Sequence, residues 1–278
     1  MRMNWNEIIK DLNAGTAGGI AGIITGHPLD TIKVHLQTQT LDNNSFKCIK
    51  KIIKNNGING FYKGMLSPII SNAPINAIVF ATYGQVSQVI QNINQTNKLT
   101  PIQNLLSGAS AGFLQTIFSS PAELIKIQLQ TNKKNINSIQ YASELLKKYG
   151  IQKGLYRSWL WTTLRDVPSY SIYFYSYELF KSHLTQEKKE IETNWNLLIS
   201  GGLAGTLSWT ITHPIDVIKS CIQSQKINKW KSANIIIRQH LLSEGSLFFF
   251  KGFGITILRA FPVNAITFLV YEKCINLT

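Results

Sequence analysis

Arg165 and Asp166 are adjacent in sequence, and Arg259 follows 94 residues later. All three stand in stretches otherwise built from apolar and small polar residues. A guanidinium is a planar fork that matches a carboxylate with two parallel hydrogen bonds. Arginine beside aspartate offers both signs at one level. That suits a zwitterion, with arginine for the carboxylate and aspartate for an ammonium or quaternary amine. A second set of charges recurs with fixed spacing. Pro28, Asp30, Lys33 and Gln37 are repeated as Pro121, Glu123, Lys126 and Gln130, and again as Pro214, Asp216, Lys219 and Gln223. The prolines are 93 residues apart both times. Three copies in one register mean three copies of one structural unit. The expected units are residues 1–97, 98–190 and 191–278.

The elements that must position these charges are long and uncharged. Residues 12–29, 64–97, 99–122 and 193–215 contain no Asp, Glu, Lys or Arg. Two further candidates, 158–177 and 252–271, are interrupted by Arg165 with Asp166 and by Arg259. A helix needs roughly 20 mostly apolar residues to cross a bilayer. Six such spans, two per unit, predict an all-α membrane fold. The spans also carry Asn, Ser, Thr and Gln, and mean hydropathy is near zero. Helices with one face on lipid and one on a water-filled cavity have this character. An ionised side chain at mid-bilayer costs on the order of 3 kcal/mol, so the three central charges should face a cavity, a partner or a substrate.

A small substrate is not threefold symmetric, so its contacts should fall where symmetry-related positions differ. Pro74, Pro168 and Pro262 align the second helix of each unit. Three residues before them stand Ser71, Arg165 and Arg259, then Asn72, Asp166 and Ala260. One after come Ile75, Ser169 and Val263, then Asn76, Tyr170 and Asn264. The candidate substrate contacts are Arg165, Asp166, Arg259, Ser71, Asn72, Asn76, Ser169 and Asn264.

Glycines four apart precede each motif proline by 13 residues: Gly15 and Gly19, Gly108 and Gly112, Gly201 and Gly205. Such pairs let helix backbones approach closely. Between the two spans of each unit lies a polar, basic segment, which reads as short helices at the membrane interface. Each segment ends on an aromatic and a cation: Tyr62, Lys63, Gly64; Tyr156, Arg157, Ser158; Phe250, Lys251, Gly252. A helix N-terminus beside a basic side chain suits an anionic headgroup. Lys63, Gly64, Arg157, Lys251 and Gly252 are the candidate headgroup contacts, with cardiolipin as the expected lipid.

The chain carries 28 basic and 14 acidic residues, a formal charge of +14. Nucleic-acid binding would need a soluble basic face, whereas these bases flank hydrophobic spans. Cys48, Cys221 and Cys274 are too widely spaced for a zinc site or a disulfide framework. The five histidines form no metal-spaced or nucleophile-base set, and His27 and His213 read as packing residues. No enzyme, metal or cofactor is expected. Residues 1–10 lack the apolar core of a secretory signal and are too short for a typical transit peptide.

The triplicated P-x-[DE]-x-x-[KR] motif and the downstream aromatic-cation-glycine signature resemble the mitochondrial carrier family, over about residues 10–275. The resemblance implies a multi-pass protein of the mitochondrial inner membrane: a six-helix barrel with pseudo-threefold symmetry, acting as a monomer by alternating access. It implies a matrix gate of inter-repeat pairs: Asp30 with Lys126, Glu123 with Lys219, and Asp216 with Lys33. Gln37, Gln130 and Gln223 match the positions that brace closed pairs. The family's second gate, [FY]-[DE]-x-x-[KR], is whole only at Tyr177, Glu178 and Lys181. The other copies read Tyr83, Gly84, Ser87 and Tyr271, Glu272, Ile275, so that gate should be weak. The runs 164–169 and 258–265 are similar to the branch carrying carnitine, acylcarnitine, ornithine and other basic amino acids. Ile75 stands where the ornithine type has an acid. The resemblance thus implies exchange of a zwitterionic or cationic amino acid or a carnitine ester. Nucleotide exchange and a non-transporting membrane scaffold are the alternatives.

Overall fold

The computed structural model describes residues 5–38, 44–96, 99–131, 136–188, 194–226 and 230–277. They are helical, with no strand among the described residues. Six helices are long: α1 (Trp5–Thr38), α3 (Leu66–Asn94), α4 (Pro101–Thr131), α6 (Trp159–Lys188), α7 (Asn194–Gln223) and α9 (Phe253–Leu277). Three are short: α2 (Ser45–Asn56), α5 (Ser138–Gly150) and α8 (Ala233–Glu244). Each predicted span falls on one long helix and each basic segment on one short helix.

Local sequence explains the short elements. Asn44 caps α2 by accepting from the Phe46 amide at 2.9 Å, and Asn137 with Gln140 forms a capping box on α5. These bonds satisfy amides that a helix start leaves without partners. Gly57, Gly150 and Gly245 then turn the chain at the ends of α2, α5 and α8, with φ of 63°, 72° and 68°. A side chain is strained at such angles, so glycine stops each helix.

The core is built three times over. Ile32 and Leu36 of α1 pack on Cys48 and Ile52 of α2. Ile125 and Leu129 of α4 pack on Tyr141 and Leu145 of α5, and Val217, Cys221 and Ile222 of α7 on Ile236 and Phe248. The C-terminal half of each motif helix is thereby anchored to its own short helix. Long-helix packing is extensive for α1 on α9, α3 on α4, α4 on α6 and α6 on α7, and sparse for α1 on α3 and α7 on α9. The three motif helices α1, α4 and α7 also touch one another.

The glycine pairs divide. Gly108 and Gly112 sit against α6, where an added Cβ would lie 2.6 Å from the Tyr170 carbonyl oxygen and 2.8 Å from that of Asp166. In α1 the close face is shifted by one residue. Gly18, Gly22 and Gly26 meet Thr267 and Val263 of α9, while Gly19 meets Asn72 and Gly15 meets nothing within 4 Å. Gly201 and Gly205 only approach the Tyr173 ring, at 3.8 and 4.0 Å. The sequence spacing is threefold, but the third copy faces an aromatic side chain and not a backbone.

All six long helices contain a proline and continue through it. A proline lacks the donor that the carbonyl four residues earlier would bond. At Pro121 that carbonyl belongs to Ile117, and the Tyr156 hydroxyl donates to it at 2.7 Å. In the other two units the tie runs the opposite way. His27 Nε2 donates to the Lys63 carbonyl at 3.0 Å and His213 Nε2 to the Lys251 carbonyl at 3.1 Å. Each motif proline is thus joined to its own aromatic-cation segment, and the histidines are packing residues with that task. Tyr156→Phe should lower stability by about 1 kcal/mol, the usual worth of one such bond. The measurement is the thermal midpoint in detergent, and an unchanged midpoint would show that Ile117 does not depend on Tyr156.

Apolarity marks fewer spans than expected. Among the described residues two stretches, Ile58–Asn94 and Ala233–Thr267, are long and apolar enough to cross a membrane on length and composition. The other long helices carry polar residues that are buried among their neighbours. In α4, Asn104, Ser107, Gln115, Thr116 and Ser119 are all buried.

Candidate functional site

The motif charges meet where α1, α4 and α7 converge. Lys33 Nζ lies 2.8 Å from Asp216 Oδ2, and Lys126 Nζ lies 2.6 Å from Asp30 Oδ2. Lys219 Nζ pairs with Glu123 Oε2. Every pair joins two different motif helices, so the three together link α1 to α4, α4 to α7 and α7 to α1. A second layer of ties follows the same triangle. Gln130 Nε2 donates to Thr31 Oγ1 at 3.1 Å, joining α4 to α1. Gln128 Nε2 donates to the Gln225 carbonyl at 2.7 Å, joining α4 to the end of α7. The Cys221 thiol donates to the Gln37 carbonyl at 3.0 Å, joining α7 to α1.

The three glutamines do not act alike. Gln37 Nε2 donates to Asp216 Oδ2 at 3.2 Å, across the Lys33–Asp216 pair. Gln130 Nε2 donates to Thr31 Oγ1, and Gln223 donates to Ser158 Oγ at 3.1 Å and Thr162 Oγ1 at 3.3 Å. Hydroxyls stand closer to these two than the carboxylates do, so only Gln37 spans an ion pair here.

The central charges join this network. Arg165 Nε pairs with Asp166 Oδ1, Nη2 lies 2.8 Å from Glu123 Oε1, and Nη1 lies 3.4 Å from Asp216 Oδ1. Each of its three nitrogens therefore has an anion. Asp166 is only 2% exposed, and besides Arg165 it accepts from Gln115 Nε2 at 2.5 Å and Ser119 Oγ at 3.3 Å. Arg259 Nε lies 3.1 Å from Asp30 Oδ1, and its side chain is 26% exposed against 10% for Arg165. All three motif acids thus hold a lysine of another motif helix and one of the two arginines as well. An incoming anion must compete with them.

The neutral candidates fall in different places. Asn76 Nδ2 donates to Asn72 Oδ1 at 3.3 Å, and Asn72 lies against Gly19 of α1. Asn264 is exposed. Ser71 bonds back to the Pro68 carbonyl at 3.4 Å within its own helix. Ser169 is taken by the α6–α7 contact, with its hydroxyl 2.8 Å from that of Ser208. A serine within a tight helix pair finds its partner there before any ligand arrives.

Three residues missed in the sequence stand in this site. Gln115 and Ser119 hold Asp166. The Trp209 ring has Lys33 Nζ 4.8 Å and Arg165 Cζ 5.6 Å from its centroid. Cations over an indole face are attracted by its quadrupole. Ile23 and Thr116 occupy the equivalent positions in the other copies. Trp209 thus breaks the threefold symmetry of the motif helices, as Arg165 and Asp166 break that of the second helices.

The headgroup candidates also lose their symmetry. Lys63 Nζ donates to Asn56 Oδ1 at 3.3 Å, beside a cavity of about 290 Å³ lined by Tyr62, Lys63, Gly64, Asn137 and Ser138. Arg157 instead lies with Cζ 3.6 Å from the centroid of Trp230, where burial holds its pKa below the ordinary guanidinium value. Lys251 is buried and pairs with Glu244, the residue before the helix-ending Gly245. Asn56 precedes Gly57 in the first unit, and an amide leaves the lysine there its charge to share. At the other end of the bundle the Tyr83 hydroxyl donates to Asn104 Oδ1 at 2.9 Å, and its ring stacks on Phe174 at 3.9 Å. The side chains of Tyr271, Glu272 and Ile275 lie outside the described residues.

The profile of the mitochondrial carrier protein family matches residues 4–94, 97–188 and 191–278. The chain is 34% identical to the mitochondrial glycine transporter YMC1 of Saccharomyces cerevisiae, over 98% of this chain and 92% of that protein. It is also 34% identical to the human mitochondrial basic amino acids transporter, over 93% of this chain and 87% of that one. The human mitochondrial carnitine/acylcarnitine carrier protein is 34% identical, over 95% and 92%. The three identities are equal, so likeness alone does not choose among these substrates. A motif repeated three times, the ion-paired helix ends it produces and the matched profile agree: the chain belongs to the mitochondrial carrier family, as a multi-pass protein of the mitochondrial inner membrane.

Proposed function

We propose that the chain is a secondary transporter that moves a zwitterionic or cationic amino acid, or a carnitine ester, by exchange. Its three repeats form a six-span barrel with pseudo-threefold symmetry. The observation that carries this reading is the junction of the gate pairs with the central arginines. Asp30, Glu123 and Asp216 each hold a motif lysine and also Arg165 or Arg259. A substrate carboxylate that takes an arginine removes one partner from a gate acid. Binding then loosens the closed end of the bundle. A ligand shifts such an equilibrium only by its differential affinity for the two states, and competition for the arginines supplies it. A site near the middle of repeated helices, opened from either side in turn, is the general plan of secondary transporters.

The motif ends are placed on the matrix side, where the basic segments of the first unit (Lys47, Lys50, Lys51 and Lys54 of α2) suit an unexported surface. The cavity beside Lys63 and Gly64 is the proposed seat of an anionic lipid such as cardiolipin. One chain supplies every long helix, so a monomer suffices. Arg165-Asp166 does not suit nucleotide exchange, and the filled ion-pair positions do not suit a scaffold with decayed gates.

Reconstitution in liposomes tests this. Uptake of labelled glycine, carnitine, lysine and arginine is measured with the same compound, or none, inside. Saturable uptake that requires internal substrate is the expected result. Uptake equal to that of empty liposomes for every compound, by protein that elutes as a folded species, would sink the transport reading.

A further inference from the structure

We infer that this site accepts a substrate with one carboxylate and a single cationic group, and discriminates against a second cationic group. The inference rests on the transport reading and narrows it. Five cations meet in the network: Lys33, Lys126, Arg165, Lys219 and Arg259. Four carboxylates face them: Asp30, Glu123, Asp166 and Asp216. One positive charge is left over. It resides at Arg259, the more exposed of the two arginines, with a single anion shared with Lys126. Arg165 has an anion at each of its nitrogens and little room for another.

A substrate carboxylate at Arg259 neutralises the surplus. One ammonium restores it, and the site is then no more charged than before. A second cation raises the total to two. Of the four carboxylates in the network, Asp166 stands outside the gate pairs, and Gln115, Ser119 and Arg165 already enclose it. It is a positioning residue for Arg165, not an open partner for a substrate amine.

The place where a second cation would lie is visible. Gly26 of α1 faces Arg259, with its Cβ position 3.6 Å from Arg259 Cδ, and Gly19 faces Asn72. Seven residues of helix separate those glycines, a rise of roughly 10 Å. A dibasic amino acid bound by its carboxylate at Arg259 would direct its distal charge toward Asn72 and Asn76. Those are neutral amides joined to each other. They can accept from one ammonium but cannot offset a charge. Two like charges about 10 Å apart at an effective dielectric near 20 repel by an amount equal to roughly 15-fold in binding.

The test is uptake into liposomes by wild type and by Asn76→Asp, with glycine and carnitine as single-cation probes and lysine and arginine as dibasic probes. Thermal midpoints of both proteins are measured alongside. Wild type should favour the single-cation probes by at least ~10-fold, and Asn76→Asp should shift the ratio toward lysine and arginine by a similar factor. Comparable uptake of all four probes by wild type would overturn the inference and leave the transport reading intact. So would a folded Asn76→Asp protein whose ratio is unchanged. No saturable uptake of any probe by folded wild type overturns the transport reading, and the inference falls with it.

Discussion

Arg259→Ala should reduce saturable uptake by at least ~100-fold while leaving the protein folded. A guanidinium holding a substrate carboxylate makes charge-assisted bonds of roughly 1.5–3 kcal/mol each, and two of them exceed a hundredfold in binding. The fold loses little. Asp30 keeps Lys126 at 2.6 Å, and the Arg259 side chain is already 26% exposed. A thermal midpoint close to wild type should therefore accompany the lost uptake. Arg259→Lys separates charge from shape. An ammonium keeps the charge but lacks the planar fork, so intermediate uptake is expected. If Arg259→Ala transports at the wild-type rate, the carboxylate contact lies elsewhere, and both the competition with Asp30 and the charge surplus lose their meaning.

Arg165→Ala should behave in the opposite order, with folding failing first. This side chain is the common partner of Asp166, Glu123 and Asp216. Glu123 and Asp216 would each retain a lysine, but Asp166 would be left as a buried anion held only by Gln115 and Ser119. Removing one partner of a buried pair costs about 3–5 kcal/mol. That is a large part of the stability of an ordinary domain. The expected result is a poor yield of monodisperse protein and a sharply lower thermal midpoint. Replacing both partners with apolar residues is far less costly than removing one. Arg165→Met with Asp166→Leu should thus recover much of the midpoint and none of the uptake. A single Arg165→Ala variant as stable as wild type would show that the central network does not hold the bundle together.

Much of the architecture was legible because repetition amplifies weak signals. One proline followed by an acid and a lysine says little, whereas three in a single register specify three equivalent helices; the pairs Asp30–Lys126, Glu123–Lys219 and Asp216–Lys33 were what the family resemblance implied. Four of the long helices followed from runs without charge and two from runs interrupted by Arg165 with Asp166 and by Arg259, and the short helices from the basic segments between them. The histidines before Pro28 and Pro214 could be read as packing residues because the second copy has Ser120 instead.

What repetition conceals is how each copy departs from the others, and only the tertiary structure decided that. The same glycine spacing produces backbone contact at Gly108 and Gly112, a shifted face at Gly18, Gly22 and Gly26, and an aromatic neighbour at Gly201 and Gly205. Lys63, Arg157 and Lys251 look equivalent in sequence but meet an amide, an indole and a carboxylate. Asp166 looked like an open anion and is enclosed by α4, while Arg259, expected at the substrate, is held by Asp30. The physical reason is common to all of these. Sequence spacing determines which residues share a helix face, but a charge or a glycine acquires its role from the side chain on the neighbouring helix. That neighbour is set by how the whole bundle packs.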